Sequence, residues 1–346
     1  MRKATLSTIL LTGGGGYIGS VLADMLLDAG HEVRIVDRFF FGRNLIAKLE
    51  VHKGLTVIKD DVRFLGPEAL MGVDVVAHLA GISNDPACDL DPRISEEVNL
   101  AGTVHLATVA KAAGVGRFIF DSSCSIYGSG GDGILNEDSQ KAPVSLYAQT
   151  KIQAEEELAK LNDQDFAVVV LRNATAYGLS LRMRFDLVIN IMTLVAYKNR
   201  RIHVLGGGKQ WRPLVHVRDI ARAHLAVLDA PIDLVRGQAF NVGSDEQNYQ
   251  IYAIAQMVRE VVPFTELDIV PDDPDKRSYH VSFEKIRRVL GFQVSTSAYE
   301  GIVEVKQALE RGLVDDSVRT KTVQYYQYLL EAEEAIREVA YKGSIF

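Results

Sequence analysis

The sequence predicts a doubly wound α/β fold, a parallel sheet with helices on both faces, joined to a smaller mixed α/β unit. Short, nearly continuous apolar runs alternate with amphipathic stretches through the first 175 residues, the pattern of strands buried on both sides. A glycine-rich turn, TGGGGYIGS, stands between the first such run and the first helical stretch. The chain has 346 residues, 47% hydrophobic and 24% charged, enough for one large core or two unequal ones.

In chain order, STILLTG, HEVRIVD, LTVIKDD, VDVVAHLAG, RFIFDSS and FAVVVLRNA read as strands, with crossover helices over 17–29, 95–114 and 146–161. After about 177 the alternation loosens into helices near 184–198, 217–229, 248–262 and 299–312, with short strands RIHVLG and AFNVGS between them. The expected division is a first domain over 1–176, with 211–236 returning to it, and a second over 177–210 and 237–315. Residues 316–346 form a C-terminal helix and tail that packs on the body or on another subunit.

Composition excludes several classes. The net charge of −7 and isoelectric point near 5.7 argue against a general nucleic-acid or membrane-surface binder. The aliphatic runs, such as AVVVL, fall far short of the ~20 residues a membrane helix needs, and the start MRKATLSTILL runs into glycines with no cleavage-like segment. Cytoplasm is the default expectation. Cys88 and Cys124 are too few for a disulfide framework. Reduced thiols are expected, and no metal site.

The glycine turn points to a dinucleotide. Gly13, Gly16 and Gly19 stand three apart, allowing a tight turn, close approach of backbone N–H groups to a pyrophosphate, and close helix–strand packing, while Tyr17 and Ile18 open the helix whose N-terminus carries partial positive charge. Asp37 ends the second strand 21 positions after Gly16, where a carboxylate accepts ribose hydroxyls and repels a 2′-phosphate. This favours NAD; Arg38 beside it leaves NADP open. Asp61 and Val62, past the third strand, reach an adenine edge or form a surface turn.

In SLYAQTK, Tyr147 and Lys151 lie four apart at a helix start and share a face. An ammonium that close, along with the positive charge of an oxidised nicotinamide, is expected to favour the phenolate, lower the tyrosine pKa and make it a usable base. The pair gains weight behind a strand that ends in Ser123.

With these motifs in place, the sequence resembles the extended short-chain dehydrogenase/reductases of the NAD-dependent sugar-nucleotide epimerase/dehydratase family, to about residue 315. The resemblance rests on TGGGGYIGS, Asp37, DDVR, HLAG, NLAGT, SSCSIYG, YAQTK, LRNATAYG, RPLVHVRD and FNVGS. It implies a Rossmann-type NAD-binding domain, tightly held NAD touched also by Leu79, Ala80 and Asn99, and a catalytic trio Ser123, Tyr147 and Lys151. It implies a nucleoside diphosphate sugar as substrate and a homodimer built on helices 95–114 and 146–161. Substrate contacts implied by position are Arg212, Arg277 and Asn190, with Arg182 and Arg184 on the segment entering the substrate domain.

Two departures matter. In the family's 4,6-dehydratases the two positions after the serine carry Asp and Glu; here they are Cys124 and Ser125, so elimination of water is disfavoured. Cys124 is either a small buried hydrophobe or a thiol facing the sugar. Thr175 replaces the usual Asn of the LRNATAYG motif, which commonly touches substrate. The expected reaction is oxidation of a hexose at C4 to a bound 4-keto intermediate, then 4-epimerisation. The alternatives are release of the ketone by a 4-dehydrogenase, 4,6-dehydration, or a non-catalytic dinucleotide-binding scaffold.

Overall fold

The computed structural model describes residues 6–272, 275, 277–341, 343 and 344, and the side chains of these outside 130–132. Met1, Arg2 and Lys3, at the start read above, and the last two residues of the tail lie outside the described residues.

The strands are β1 (Thr8–Thr12), β2 (Glu32–Asp37), β3 (Leu55–Lys59), β4 (Val75–His78), β5 (Arg117–Ser123), β6 (Ser129–Leu135), β7 (Ala167–Asn173), β8 (Thr175–Tyr177), β9 (Arg201–Val204), β10 (Trp211–His216), β11 (Ala239–Val242), β12 (Asn248–Gln250), β13 (Glu266–Ile269) and β14 (Ser278–Val281). The main sheet has the order β11-β7-β5-β4-β1-β2-β3, every neighbouring pair parallel. The strand order reverses between β1 and β4, the crevice at which doubly wound sheets bind ligands.

Register places the motifs. Thr12 pairs with Val36 on one side and with His78 on the other, so Gly13, Asp37 and Leu79 leave the sheet side by side at its carboxyl edge. Ser123 pairs with Asn173 further along the same edge.

Side chains alternate across the sheet with period two. Leu10, Val36, Val76, Phe118 and Phe120 enter one apolar core; Ile9, Leu11, Val33, Ile35, Ala77 and Ile119 enter the other. β3 is the exception to burial on both faces, with only intermediate and exposed residues, because it is the sheet's edge. A third core gathers Ile202, Val204 and Leu214 under the helices Val188–Asn199, Ile251–Val261 and Ala298–Glu310.

Some expectations shift. β11, which fell in the stretch assigned to the second unit, is hydrogen-bonded to β7 in the main sheet, where Phe240 and Val242 are fully buried. The helix expected over 95–114 runs from Pro92 to Ala112 with a π turn over Glu97–Ala101. The helix expected from 184 starts at Val188, since Arg184 and Asp186 form a bidentate pair ahead of it. Asn248–Gln250 joins β10 as a strand before its helix begins.

Candidate active site

The glycine turn closes on itself. Gly13 has φ of 73° and its N–H donates to Val36 O at 2.9 Å, while Gly16 N–H donates to Gly13 O at 2.9 Å. A Cβ on Gly13 would stand 2.8 Å from Ala80 N, and one on Gly19 would stand 2.1 Å from Gly13 O. Only glycine lets the helix Tyr17–Asp28 start this close to the strand, aiming its N-terminus along the crevice.

One cavity of about 450 Å³ runs along that edge, lined by Gly13, Gly16, Tyr17, Ile18, Gly19, Asp37, Asp61, Val62, Leu79 and Ala80, all expected there. Asn99 is not in its wall. It is buried in the π turn, its Oδ1 accepting Ile82 N–H at 2.8 Å and its Nδ2 donating to Ile82 O at 3.0 Å. It therefore holds the loop after β4, and Gly81, Ile82 and Ser83 of that loop do line the cavity.

Asp37 accepts Gly15 N–H at 2.9 Å and Phe39 N–H at 2.6 Å, and burial raises its pKa against those bonds. Arg38 is committed elsewhere: Nη1 donates to Asp61 Oδ2 at 2.8 Å, with the guanidinium 4.7 Å from the Phe40 ring centroid. Burial alone would raise the Asp61 pKa, but hydrogen bonds from Arg63 and Arg38 hold it well below the usual carboxylate range. Arg38 is thus neutralised beside an intact Asp37, the arrangement for a ribose diol rather than a 2′-phosphate.

Arg182 lines this cavity rather than a substrate wall. Its guanidinium lies 3.6 Å from the Phe41 ring centroid and Nη2 donates to Thr322 Oγ1 at 2.9 Å, leaving Nε buried without a partner among the described residues. Burial, then the neighbouring Arg184, lowers its pKa to about 9. A buried cation with a free donor, a helix N-terminus and a glycine cradle fit a dinucleotide pyrophosphate.

A second cavity of about 1020 Å³ includes Thr175, Arg184, Arg212 and Arg277 in its wall. Arg184 belongs to both walls, so the cavities meet there. Each arginine has an acidic partner: Arg184 on Asp186 at 3.0 Å, Arg212 on Asp275 at 2.9 Å, and Arg277 bridging Asp275 at 2.6 Å and Asp85 at 2.5 Å. Asp85, Asp186 and Asp275, and Asn84, which donates to Asp186 at 2.9 Å, escaped the sequence reading, which sought cations for a phosphate and not the carboxylates paired with them. For Asn84 and Asp85 the signal was the GISNDP loop that overlaps HLAG.

The trio sits behind this junction and is in neither cavity wall. Ser123 Oγ accepts Ser125 N–H at 3.1 Å. Lys151 is buried, its Nζ donating to Asp121 O at 2.7 Å and lying 5.8 Å from the Tyr147 ring centroid. Burial lowers the Lys151 pKa to about 8, opposed by the Asp121 carboxylate, which itself pairs with His224 at 2.7 Å.

The expected lowering of Tyr147 by Lys151 is corrected. Burial, then the Cys88 thiol and Asp85 carboxylate, pushes the phenol well above its ordinary value, with Arg184 opposing. One helical turn brings the ammonium near, one of its donors going to Asp121 O, and burial of the phenol outweighs it. Protein groups alone keep Tyr147 protonated.

Two substrate expectations, Cys124 and Asn190, are corrected in the same way. Cys124 is 1% exposed with Sγ donating to Arg172 O at 3.2 Å, and burial pushes its thiol far up; it is a packed neighbour of Ser123. Asn190 is fully buried, accepting Gly178 N–H at 3.0 Å and donating to Tyr17 Oη at 3.1 Å and Arg184 O at 3.0 Å. It braces Arg184 and does not reach the cavity. Ser125 is 4% exposed, its hydroxyl without a hydrogen-bond partner among the described residues.

A family model described as the NAD dependent epimerase/dehydratase family matches residues 9–243. UDP-glucuronic acid decarboxylase 1 of Danio rerio is 28% identical over 317 residues, 88% of this chain and 73% of the relative. UDP-glucose 4-epimerase of Corynebacterium glutamicum is 27% identical over 331 residues, 90% of this chain and 98% of the relative. The solved structure of MoeE5 in complex with UDP-glucose and NAD is similar with a TM-score of 0.77 at 26% identity, covering 89% of this chain and all of that one.

Proposed function

The chain belongs to the NAD dependent epimerase/dehydratase family, nucleotide-sugar enzymes, and from that premise we propose that it is a nucleotide-sugar 4-epimerase. The observation that sets dehydration aside is Cys124. Its thiol is packed against Arg172 O and Ser125 follows it, so no carboxyl pair flanks Ser123 to act as the acid and base of water elimination. The epimerase of Corynebacterium glutamicum among its relatives supports the same reading.

NAD, when bound, supplies the hydride acceptor and donor. Gly13, Gly16, Asp37, Leu79 and Ala80 hold it, and Arg182 offers its buried guanidinium to the pyrophosphate. Tyr147 takes the proton of the C4 hydroxyl, Ser123 hydrogen-bonds the same oxygen, and Lys151 carries a positive charge that, together with that of oxidised NAD, would favour the phenolate. Arg184, Arg212 and Arg277 meet the substrate diphosphate from one wall, exchanging part of their contact with Asp186, Asp275 and Asp85. The 4-epimer would follow if the keto sugar turned in the site before NAD gave the hydride back, and Tyr147 would then return the proton to the C4 oxygen.

The test is a panel of nucleotide sugars given to purified protein, following absorbance at 340 nm, product mass and carbon dioxide. An epimer at unchanged mass with no net NADH is expected. Loss of two hydrogens with stoichiometric NADH makes it a 4-dehydrogenase, loss of water a dehydratase, and loss of carbon dioxide from a uronic acid substrate a decarboxylase. Tyr147→Phe should cut kcat by about 10²–10⁴; undiminished turnover overturns the assignment of the base.

A further inference from the structure

The helix Thr322–Val339 lies beyond the 9–243 segment that matches the family model, and it packs across the cofactor cavity. Tyr326, Leu329, Leu330 and Glu333 line that cavity together with the glycine turn, Asp37 and Asp61. Their spacing, i, i+3, i+4 and i+7, is a single stripe of a helix. The stripe faces the cavity; the helix's solvent side carries Tyr328 and Val339.

The helix is fastened at the ribose end. Phe40 and Phe41 follow Asp37 by a few residues, and their rings meet Tyr326 at 5.9 and 5.6 Å between centroids, with Tyr325 5.3 Å from Phe41. Arg182 lies over the other side of Phe41 and bonds Thr322. Phe185 N–H donates to Thr320 O at 2.7 Å just ahead of the helix, and Lys198 and Lys321 both hold Asp316 at 2.7 Å. Burial raises the Tyr326 pKa, so its hydroxyl stays neutral against the cavity. Leu330 is 51% exposed at the rim, an apolar side chain where a planar base would cover it.

We propose that this C-terminal helix is part of the cofactor site: Tyr326, Leu329 and Leu330 form the outer wall of the adenosine pocket, and the dinucleotide leaves only when the helix lifts. The proposal rests on the epimerase reading for its purpose. A reaction that oxidises and then reduces the same substrate returns the cofactor to its starting state, so a wall that prevents exchange keeps the two half-reactions on one molecule of NAD. The same wall would slow a dehydrogenase, which must release NADH on every turnover.

The experiment compares the full-length protein with Leu330→Asp, Tyr326→Ala and a chain ending at Lys321. Bound nucleotide is quantified after purification and gel filtration, and the NAD dissociation rate is measured by chase with excess unlabelled NAD. Circular dichroism checks folding; Leu330, half exposed, is the substitution least able to disturb it. Wild type should retain its NAD, and Leu330→Asp and Tyr326→Ala should release it at least about tenfold faster, a loss of about 1.4 kcal/mol or more. With substrate, the variants should leak NADH and free ketone. Folded variants that retain NAD within about twofold of wild type overturn the role of the helix and leave the epimerase reading standing. A wild-type protein that binds no NAD overturns both.

Discussion

Lys151 and Tyr147 stand one helical turn apart, and their titration follows their neighbours rather than their spacing. Lys151 ionises at about 8 because its ammonium is buried, and the groups facing it are Asp121 from β5, Cys88, and Tyr147 and Glu155 from its own helix. Since the ammonium is the form that favours the Tyr147 phenolate, activity is present below that value and is lost as pH rises through it. The kcat/KM profile should show an alkaline limb near pH 8, and Lys151→Arg, which keeps its charge, should move that limb beyond the accessible range. An unchanged limb in Lys151→Arg would place the titration elsewhere. Spacing made the pair visible in the sequence. The burial and the Asp121 carbonyl that set its chemistry come from a strand 30 positions away.

At the scale of elements, the strand β7 and the helix Leu146–Leu161 are joined by a buried ion pair. Glu155 accepts from Arg172 Nη2 at 2.8 Å and Nε at 3.1 Å, from Ser122 Oγ at 2.6 Å, and faces Lys141 at 3.0 Å. Burial would raise the Glu155 pKa, but these donors hold it below its ordinary value. Arg172 also bonds Tyr127, keeping the turn after Ser123 in place. Glu155→Ala strands that guanidinium in the core and should cost about 3–5 kcal/mol in a urea unfolding curve; a loss under about 1 kcal/mol would show that the pair is dispensable. The strands themselves were legible, because short continuous apolar runs bounded by turn residues have few other uses. The start of the helix at Val188 was not, because the Arg184–Asp186 pair that delays it reads as ordinary charges in sequence.

Over the whole molecule, the sheet order brings the glycine turn, Asp37 and the HLAG loop to one edge, and Arg184, Arg212 and Arg277 line the second cavity beside it. Among the described residues no helix is long and apolar enough to cross a membrane. The family resemblance leads us to propose a homodimer through the helices Pro92–Ala112 and Leu146–Leu161. Light scattering should then give twice the monomer mass of 38.1 kDa, and a monomer at micromolar concentration refutes it.

The sequence by itself determined the α/β class and the dinucleotide turn, and set Asp37 at a strand end and Tyr147 and Lys151 on one helical face, while Ser123 entered through the family resemblance. These are local signals, set by backbone sterics, apolar period and one-turn spacing. Tertiary structure alone decided that Cys124 and Asn190 are packing groups, that Arg38 is neutralised by Asp61, that each substrate-side arginine carries an acidic partner, and that the C-terminal helix walls the cofactor cavity. Each of these depends on which distant side chain arrives within about 3 Å, a hydrogen-bond distance that no spacing along the chain encodes.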